Sequence, residues 1–164
     1  MITFRAAQIE DIHSITEIYN EAVLNTTATF DTEIKTIENR TSWFLQRDEN
    51  FPVIVVEYQQ KIVGYAALNK WSDKKAYDIT AEISLYIAPD SRGKGIGKKL
   101  IEVIVTSAIE HTNLHSLIAR ITQGNEHSIY LHQAYGFEKT GVMKSVGKKF
   151  GKLLDVTLLQ KMLR

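Results

Sequence analysis

Ala81-Glu-Ile-Ser-Leu-Tyr-Ile87, Ala88-Pro-Asp-Ser91 and Arg92-Gly-Lys-Gly-Ile-Gly-Lys-Lys99 follow one another without interruption in this chain. The first segment alternates apolar and polar side chains, which is typical of a β-strand with one buried face. From Ile96 to about His111, apolar side chains recur at helical spacing. The stretch therefore predicts a strand, a glycine-rich turn and a helix in immediate succession.

A glycine turn between a strand and a helix is a potential anion site. The free N–H groups and the positive end of the helix dipole lie close to one point, and diphosphate is the usual ligand of such a site. Glycines 93, 95 and 97 would let the backbone approach phosphates with no Cβ in the way. Charge would come from Arg92, Lys94, Lys98 and Lys99. The alternative is a tight turn with solvated lysines.

The turn matches neither of two familiar nucleotide loops. A Walker A loop has a glycine where this chain has Arg92, and a serine or threonine where it has Lys99. A dinucleotide fingerprint has its third glycine where this chain has Lys98, and it usually lies in the first strand–helix turn. Both interpretations are therefore rejected.

The rest of the chain alternates between strand and helix patterns, with no internal repeat or low-complexity linker. Helices are predicted at Asp11–Leu24, from about Ile37 to Arg47, and at Asn125–Ala134. Strands are predicted at residues 2–5, 52–58, 61–68, 114–121, 137–146 and 153–161, in addition to 81–87. We expect a mixed α/β (α+β) fold with six or seven strands, in one domain over residues 1–164.

Composition excludes several classes of protein. With 164 residues, 44% hydrophobic and 24% charged, the chain is not intrinsically disordered, and its length suits one core. A net charge of +1 lacks the basic excess of a dedicated nucleic-acid binder. No apolar run approaches the length of about 18 residues that a membrane span needs, and no secretory signal is visible. We expect a cytoplasmic protein with neither a membrane nor a nucleic-acid partner.

The chain contains no cysteine. Disulfides, thiolate metal sites and a cysteine nucleophile are therefore excluded. The histidines at positions 13, 111, 115 and 127 show no zinc-type spacing with acidic residues, so no metal site is predicted.

Several motifs together resemble the GNAT superfamily of N-acetyltransferases. Arg92–Gly97 is similar to its acyl-CoA signature, Arg/Gln-x-x-Gly-x-Gly/Ala, and Asn125–Phe137 is similar to its second CoA motif. Tyr19–Phe30, Ala81-Glu82 and Val146–Asp155 resemble the phosphinothricin and methionine sulfoximine N-acetyltransferase branch. The resemblance covers nearly the whole chain. It implies a mostly antiparallel sheet flanked by about four helices, acetyl-CoA as acetyl donor, and a homodimer.

The resemblance also implies where acetyl-CoA lies. Backbone N–H groups of Leu85, Tyr86 and Ile87 would hold the thioester carbonyl and the pantetheine arm. Asn125 would contact that arm while its side chain caps the helix from Glu126. The other expected cofactor contacts are Arg92, Gly93, Lys94, Gly95, Ile96, Gly97, Lys98 and Ser128.

Glu82 is the candidate general base for acetyl transfer to an amine. It is an acidic residue in an otherwise apolar strand, and apolar surroundings raise the pKa of a carboxyl group toward the range useful for deprotonating an ammonium. The branch's base glutamate aligns here as well. The alternative is an edge or ion-paired glutamate. Because the chain has neither a cysteine nor a serine elbow motif, we expect direct attack by the amine in a ternary complex.

His132 is the candidate general acid. Many GNAT enzymes carry a tyrosine at this position, which protonates the leaving thiolate, and a histidine can donate that proton near neutral pH. The alternative is a helix histidine held by packing and one hydrogen bond, with water protonating CoA.

The resemblance places the acceptor pocket between several loops. In relatives that acetylate amino-acid analogues, an arginine of the 71–77 loop holds the acceptor's acidic group; here Ser72 aligns with it, near Lys74. Leu153 replaces a tryptophan common in the branch, which favours an amino-acid acceptor other than phosphinothricin. The expected pocket residues are Phe30, Ser72, Lys74, Tyr77, Thr122 and Lys149.

The sequence thus predicts an acetyl-CoA-dependent N-acetyltransferase that acts on the primary amine of a small amino-acid-like molecule. Two alternatives remain open at this point. One is acetylation of a protein N-terminus or lysine, for which an open groove would be expected. The other is a CoA-binding sensor without catalysis, although such a binder would have no need of Glu82.

Overall fold

The structure, a computed structural model, describes residues 1–164. Four α-helices and three single-turn 3-10 helices accompany seven strands. The helices are α1 (Ile12–Asn25), α2 (Ile37–Leu45), α3 (Ile96–His111) and α4 (Glu126–Ala134). The strands are β1 (Ile2–Ala6), β2 (Val53–Tyr58), β3 (Lys61–Lys70), β4 (Thr80–Ile87), β5 (Ser116–Thr122), β6 (Glu138–Lys149) and β7 (Lys152–Met162).

All seven strands form one sheet in the order β1-β2-β3-β4-β5-β7-β6. Every neighbouring pair is antiparallel except β4 and β5, which are parallel because α3 crosses over between them. The expected mixed, mostly antiparallel sheet of six or seven strands with about four helices is confirmed.

The parallel pair opens into a gap. Residues Thr80–Glu82 of β4 pair with Ser116–Ile118 of β5, and beyond these residues the two strands have no further register. Residues 83–87 of β4 therefore pair with β3 on one side only. Their backbone groups on the other side are free to bind a ligand.

The two faces of β4 follow the alternation seen in the sequence. Ile83 belongs to the larger core, which α3 covers, and Leu85 and Ile87 pack against it. Tyr86 packs on the opposite side against the smaller core, which contains the buried residues of α1. Side chains at even positions of β4 consequently face α1.

Element bounds differ from the sequence predictions mainly near the carboxyl end. β6 runs three residues further than predicted, to Lys149, because the turn that follows contains only Phe150 and Gly151. Both turn residues have positive φ, 51° and 74°, as a two-residue hairpin of type I′ requires. Gln59 and Gln60 form the corresponding turn of the predicted β2–β3 hairpin, with φ of 50° and 65°.

Candidate active site

A cavity of about 1380 Å³ joins the glycine turn to the space beneath α1 and α2. Gly93 and Gly95 line one end, and Leu85 lines the middle, beside the gap between β4 and β5. Tyr19 of α1 and Arg40 of α2 line it as well. We call the lining residues of the glycine turn, 91–93 and 95–98, the glycine-turn end. We call the lining residues Tyr19, Phe30, Arg40, Tyr65, Glu82 and Arg120 the acceptor end. A single continuous space therefore connects the predicted cofactor turn with the predicted base.

The glycine turn has the backbone geometry of an anion site. Gly93 and Gly95 have φ of 72° and 79°, a left-handed conformation that other residues rarely adopt. Gly95 is the N-cap of α3, and no side chain caps that helix. A Cβ built on either glycine would meet no atom within 4 Å. The first N–H groups of α3 thus lie beside open space, where a phosphate would complete their hydrogen bonds.

The basic side chains of the glycine turn do not all line the cavity, as had been expected of cofactor contacts. Arg92 lines the cavity, but its Nη2 donates to a carboxylate oxygen of Glu21 at 2.6 Å and its Nε donates to the carbonyl of Ile87 at 3.0 Å. Lys98 also lines the cavity, whereas Lys94 does not. Glu21 lies on α1, so this pair ties the glycine turn to that helix, a contact that the local sequence could not indicate.

Leu85, Tyr86 and Ile87 line the middle of the cavity, together with Asn125 and Ser128 at the start of α4. The expectation that the Asn125 side chain caps α4 is wrong. No side-chain cap is formed, and the Asn125 backbone carbonyl accepts from the N–H of Ser128 at 3.0 Å. The amide of Asn125 is therefore free to reach a ligand in the cavity.

Glu82 lies on β4 beside the point where β4 and β5 separate, and it lines the cavity. Both of its oxygens accept hydrogen bonds from Arg120 of β5, each at 2.6 Å, from Nε and Nη2. The expectation of purely apolar surroundings is therefore wrong, because β5 contributes a guanidinium. The Glu82 side chain is 18% exposed and that of Arg120 is 51% exposed. The two bonds fix the position of the Glu82 carboxylate beside the gap between β4 and β5.

Aromatic side chains and a buried arginine form the acceptor end. The rings of Tyr19 and Tyr65 both pack against Tyr86, with centroids 5.3 and 5.5 Å apart. Arg40, 7% exposed, has its guanidinium 3.8 Å from the ring centroid of Trp43 and 4.5 Å from that of Tyr19. Burial raises the pKa of Tyr19 to about 12, so its hydroxyl is a hydrogen-bond donor at neutral pH.

His132 is buried, and it also lines the cavity. Its Nδ1 lies 2.7 Å from the carbonyl oxygen of Ser128, so Nδ1 carries the proton and donates. The ring packs edge-on against Phe137. Burial lowers the pKa of His132, and the bond to Ser128 only partly opposes that effect. At neutral pH the imidazole is therefore neutral, with an unprotonated Nε2.

The predicted acceptor residues fall into two groups. Phe30 and Thr122 line the cavity, and the Phe30 ring lies directly over Gly147 of β6. The structure does not bring the others to the cavity wall. The 71–77 loop is largely exposed, and the Lys149 ammonium is buried, donating to the Thr29 carbonyl at 2.8 Å. The predicted residues outside the cavity lining are Ser72, Lys74, Tyr77 and Lys149.

Sequence reasoning missed the side chains that other elements contribute to the acceptor end. The most prominent are Arg120, Tyr19, Arg40 and Tyr65. One signal was available for Arg120, since it interrupts the apolar run of β5 at a position whose neighbours are buried. The other three lie at helix and strand positions that are typical of a core, and only the tertiary structure places them in the cavity that Glu82 also lines.

The match to a family model agrees with this geometry. Residues 4–158 match the acetyltransferase (GNAT) domain. The chain therefore belongs to the GNAT family, and it is an N-acetyltransferase.

Curated relatives cover almost the whole chain. The L-amino acid N-acyltransferase MnaT of Escherichia coli is 38% identical over 160 residues, which is 97% of this chain and 92% of MnaT. The L-methionine sulfoximine/L-methionine sulfone acetyltransferase of Pseudomonas aeruginosa is also 38% identical, over 96% of this chain and 92% of that protein.

Solved structures give the same result. The Salmonella typhimurium protein yncA, solved with its cofactor acetyl-CoA, has a TM-score of 0.95 and 37% identity, covering 99% of this chain and 94% of yncA. A Sinorhizobium meliloti phosphinothricin acetyltransferase in complex with acetyl-CoA has a TM-score of 0.93 and 36% identity. The match covers 98% of this chain and 88% of that enzyme. A ribosomal-protein-alanine N-acetyltransferase of Brucella melitensis has a TM-score of 0.93 and 38% identity. The match covers 98% of this chain and 99% of that enzyme.

No group of three or more histidine, aspartate or glutamate side chains could hold a metal ion. No helix is long and apolar enough to cross a membrane.

Proposed function

We propose that this chain is an acetyl-CoA-dependent N-acetyltransferase that acts on the primary amine of a small amino-acid-like molecule. One observation carries the proposal. A single cavity joins a glycine turn of anion-binding geometry, the unpaired edge of β4 and the carboxylate of Glu82. A thioester donor and an amine acceptor can therefore meet within it.

The residues present fit an acyl-CoA. The uncapped start of α3 with its open approach over Gly93 and Gly95 suits a diphosphate, and Lys98 adds a positive charge. The free backbone edge of residues 83–87 suits the amide groups of a pantetheine arm. The bound acetyl-CoA of yncA and of the Sinorhizobium meliloti enzyme supports the same ligand here.

When bound, acetyl-CoA supplies the acetyl thioester, whose carbon–sulfur bond breaks as the amine nitrogen bonds to the acetyl carbon. The ammonium form of the acceptor must first lose a proton. Glu82 is the base in this proposal because it is the carboxylate beside the gap in the sheet, and two hydrogen bonds from Arg120 hold it in place. On the unpaired edge of β4, the backbone N–H groups of Leu85 and Ile87 would polarise the thioester carbonyl of a bound donor.

The state of His132 favours packing over acid catalysis. A neutral imidazole whose only proton is already donated to Ser128 has none to give from Nε2. We propose that water protonates the leaving thiolate and that His132 shapes the wall of the cavity between α4 and Phe137.

A small acceptor is supported by the lining of the acceptor end and by the names of relatives. The loop between α1 and α2 contributes Thr29 and Phe30 to the lining, and Tyr19 and Arg40 line it as well. The names of the Escherichia coli and Pseudomonas aeruginosa relatives point to amino acids and to methionine sulfoximine or sulfone. A protein N-terminus is the second candidate acceptor, favoured by the likeness to the Brucella melitensis enzyme.

An amine panel tests the proposal. Purified protein is mixed with acetyl-CoA and, in separate reactions, L-methionine sulfoximine, L-methionine sulfone, phosphinothricin, other free amino acids, an alanine-starting peptide and a lysine peptide. Thiol release with at least one free amino-acid-like amine, confirmed by mass spectrometry of the product, is expected. Transfer to peptides alone would replace the proposal with the second candidate, and no transfer to any amine would overturn it.

The homodimer and the cytoplasmic location remain predictions. The single domain over residues 1–164 is proposed on the one continuous sheet. Sedimentation of the purified chain measures its oligomeric state.

A further inference from the structure

We propose that Arg120 is a specificity-determining residue of the acceptor site. One edge of its guanidinium holds Glu82, and the other edge binds an acidic group of the acceptor. The acceptors selected in this way are α-amino acids, in which the amine and the carboxylate share one carbon. The inference rests on the proposed function, because it assumes that amines are acetylated in this cavity.

The Arg120 guanidinium has hydrogen-bond donors that no residue of the chain uses. Arg120 donates from Nε and Nη2 to the two oxygens of Glu82, at 2.6 Å each. A guanidinium has five N–H donors on two usable edges, so Nη1 and the second proton of Nη2 remain. Nη1 has no partner within the chain, and the side chain is half exposed while lining the cavity. The free edge is thus available to a ligand.

The Arg120 guanidinium is also held in place before any ligand binds. Its central carbon lies 5.3 Å from the ring centroid of Trp71, on the face of the ring, which is a cation–π contact. Together with the two bonds to Glu82, this contact fixes the plane of the group. A preformed fork loses less conformational entropy on binding a carboxylate than a mobile side chain does.

The charges of Glu82 and Arg120 also complement those of a free amino acid. Glu82 and Arg120 already form a neutral pair. A zwitterionic amino acid presents an ammonium and a carboxylate side by side. When its carboxylate binds the free edge of Arg120, its ammonium lies toward Glu82. Four charged groups then lie together: Arg120, Glu82, and the ammonium and carboxylate of the acceptor. Each of them has groups of opposite charge as its two neighbours. The same contact that selects the carboxylate therefore brings the amine to its base.

The other cations near the acceptor end are less suitable. The guanidinium of Arg40 lies between the rings of Tyr19 and Trp43, and its Nε is buried without a partner. The Lys149 ammonium is buried against the Thr29 carbonyl, and Lys74 lies outside the cavity. Arg120 alone combines a free edge, partial exposure and contact with the proposed base.

The test compares acceptors that differ only in their acidic group. Each free amino acid that the wild type acetylates, beginning with L-methionine sulfone, is paired with its α-carboxamide, and kcat/KM is measured for both with Arg120→Ala and Arg120→Lys. Arg120→Ala should lower kcat/KM for the acid about 10- to 100-fold more than for the amide, since a charge-assisted carboxylate contact is lost. Arg120→Lys should lie between, because a lysine offers a point charge without the fork.

The acid–amide comparison separates recognition from a merely structural role. If Arg120 only orients Glu82, both acceptors lose activity by the same factor, and that result would overturn the inference. Lys144→Ala is the matched control, because Lys144 also pairs with a carboxylate, Asp155, but lies outside the cavity; it should leave both values unchanged. Thermal unfolding confirms that each variant folds. Failure of the wild type to acetylate any amine would instead overturn the proposed function.

Discussion

At the glycine-turn end of the cavity, a ligand meets one short segment, residues 91–93 and 95–98, and the backbone N–H groups of the helix that starts within it. At the acceptor end, a ligand meets side chains from α1, α2, β3, β4 and β5, most of them aromatic or charged. The glycine-turn end binds through backbone N–H groups, which do not depend on the side chains around them. This suits an acetyl donor that is the same in every reaction. The acceptor end depends on each side chain, which suits selection of one acceptor among many amines.

If the two ends are independent, a change at one end should alter the use of one substrate only. Each of the following variants tests that separation.

Glu82→Gln should lower kcat about 100-fold or more, because the amide keeps the shape of the side chain but accepts no proton. Calorimetric titration should show that acetyl-CoA binds as tightly as it does to the wild type. Unchanged turnover would remove Glu82 from the role of base. A loss of acetyl-CoA affinity of similar size would contradict the separation of the two ends.

Gly95→Ala should raise the KM for acetyl-CoA about 10-fold, since a side chain at φ of 79° costs about 1–2 kcal/mol and shifts the first turn of α3. The KM of the acceptor should stay the same at saturating acetyl-CoA. Gly141→Ala is the matched control: Gly141 has no positive φ, and its Cβ would also meet open space. Equal effects of both variants would mean that the turn geometry is unimportant for the cofactor.

Gly147→Ala should raise the KM of the acceptor a few-fold and leave that of acetyl-CoA unchanged. A Cβ at Gly147 would overlap the Phe30 ring, so the ring must move within the acceptor end. Initial rates with each substrate varied in turn measure both constants. Gly141→Ala, on the same strand, again serves as control. A change in the KM for acetyl-CoA alone would contradict the placement of Phe30 at the acceptor end.

The pH dependence of stability tests the neutral state of His132. Because burial lowers the pKa of His132 below that of a histidine in the unfolded chain, the unfolded chain binds a proton more readily as the pH falls through about 6.5. This contribution to stability is present at pH 7 and is lost toward pH 5. The urea midpoint of the wild type should fall over that range, and His132→Asn should flatten the slope. His13→Asn, at an exposed position, is the control and should retain it.

The contrast between the two ends also explains what the sequence could predict. The strand alternation of β4, the glycine turn and the apolar face of α3 are local patterns, so the fold and the cofactor turn were predictable. Glu82 stood out as an acid within such a pattern. Arg120, Tyr19 and Arg40 reach the same cavity from distant elements, and no local periodicity encodes that convergence. Lys149 shows the converse error: the family resemblance placed it at the acceptor pocket, but the buried carbonyl of Thr29 holds its ammonium.

In the proposed reaction, donor and acceptor occupy the cavity at the same time, and the acetyl group passes directly between them. Initial rates measured over a matrix of acetyl-CoA and acceptor concentrations test it most directly. Double-reciprocal plots should intersect, as a ternary complex requires. Parallel lines, together with an acetylated enzyme detected by intact mass spectrometry after exposure to acetyl-CoA alone, would contradict direct transfer.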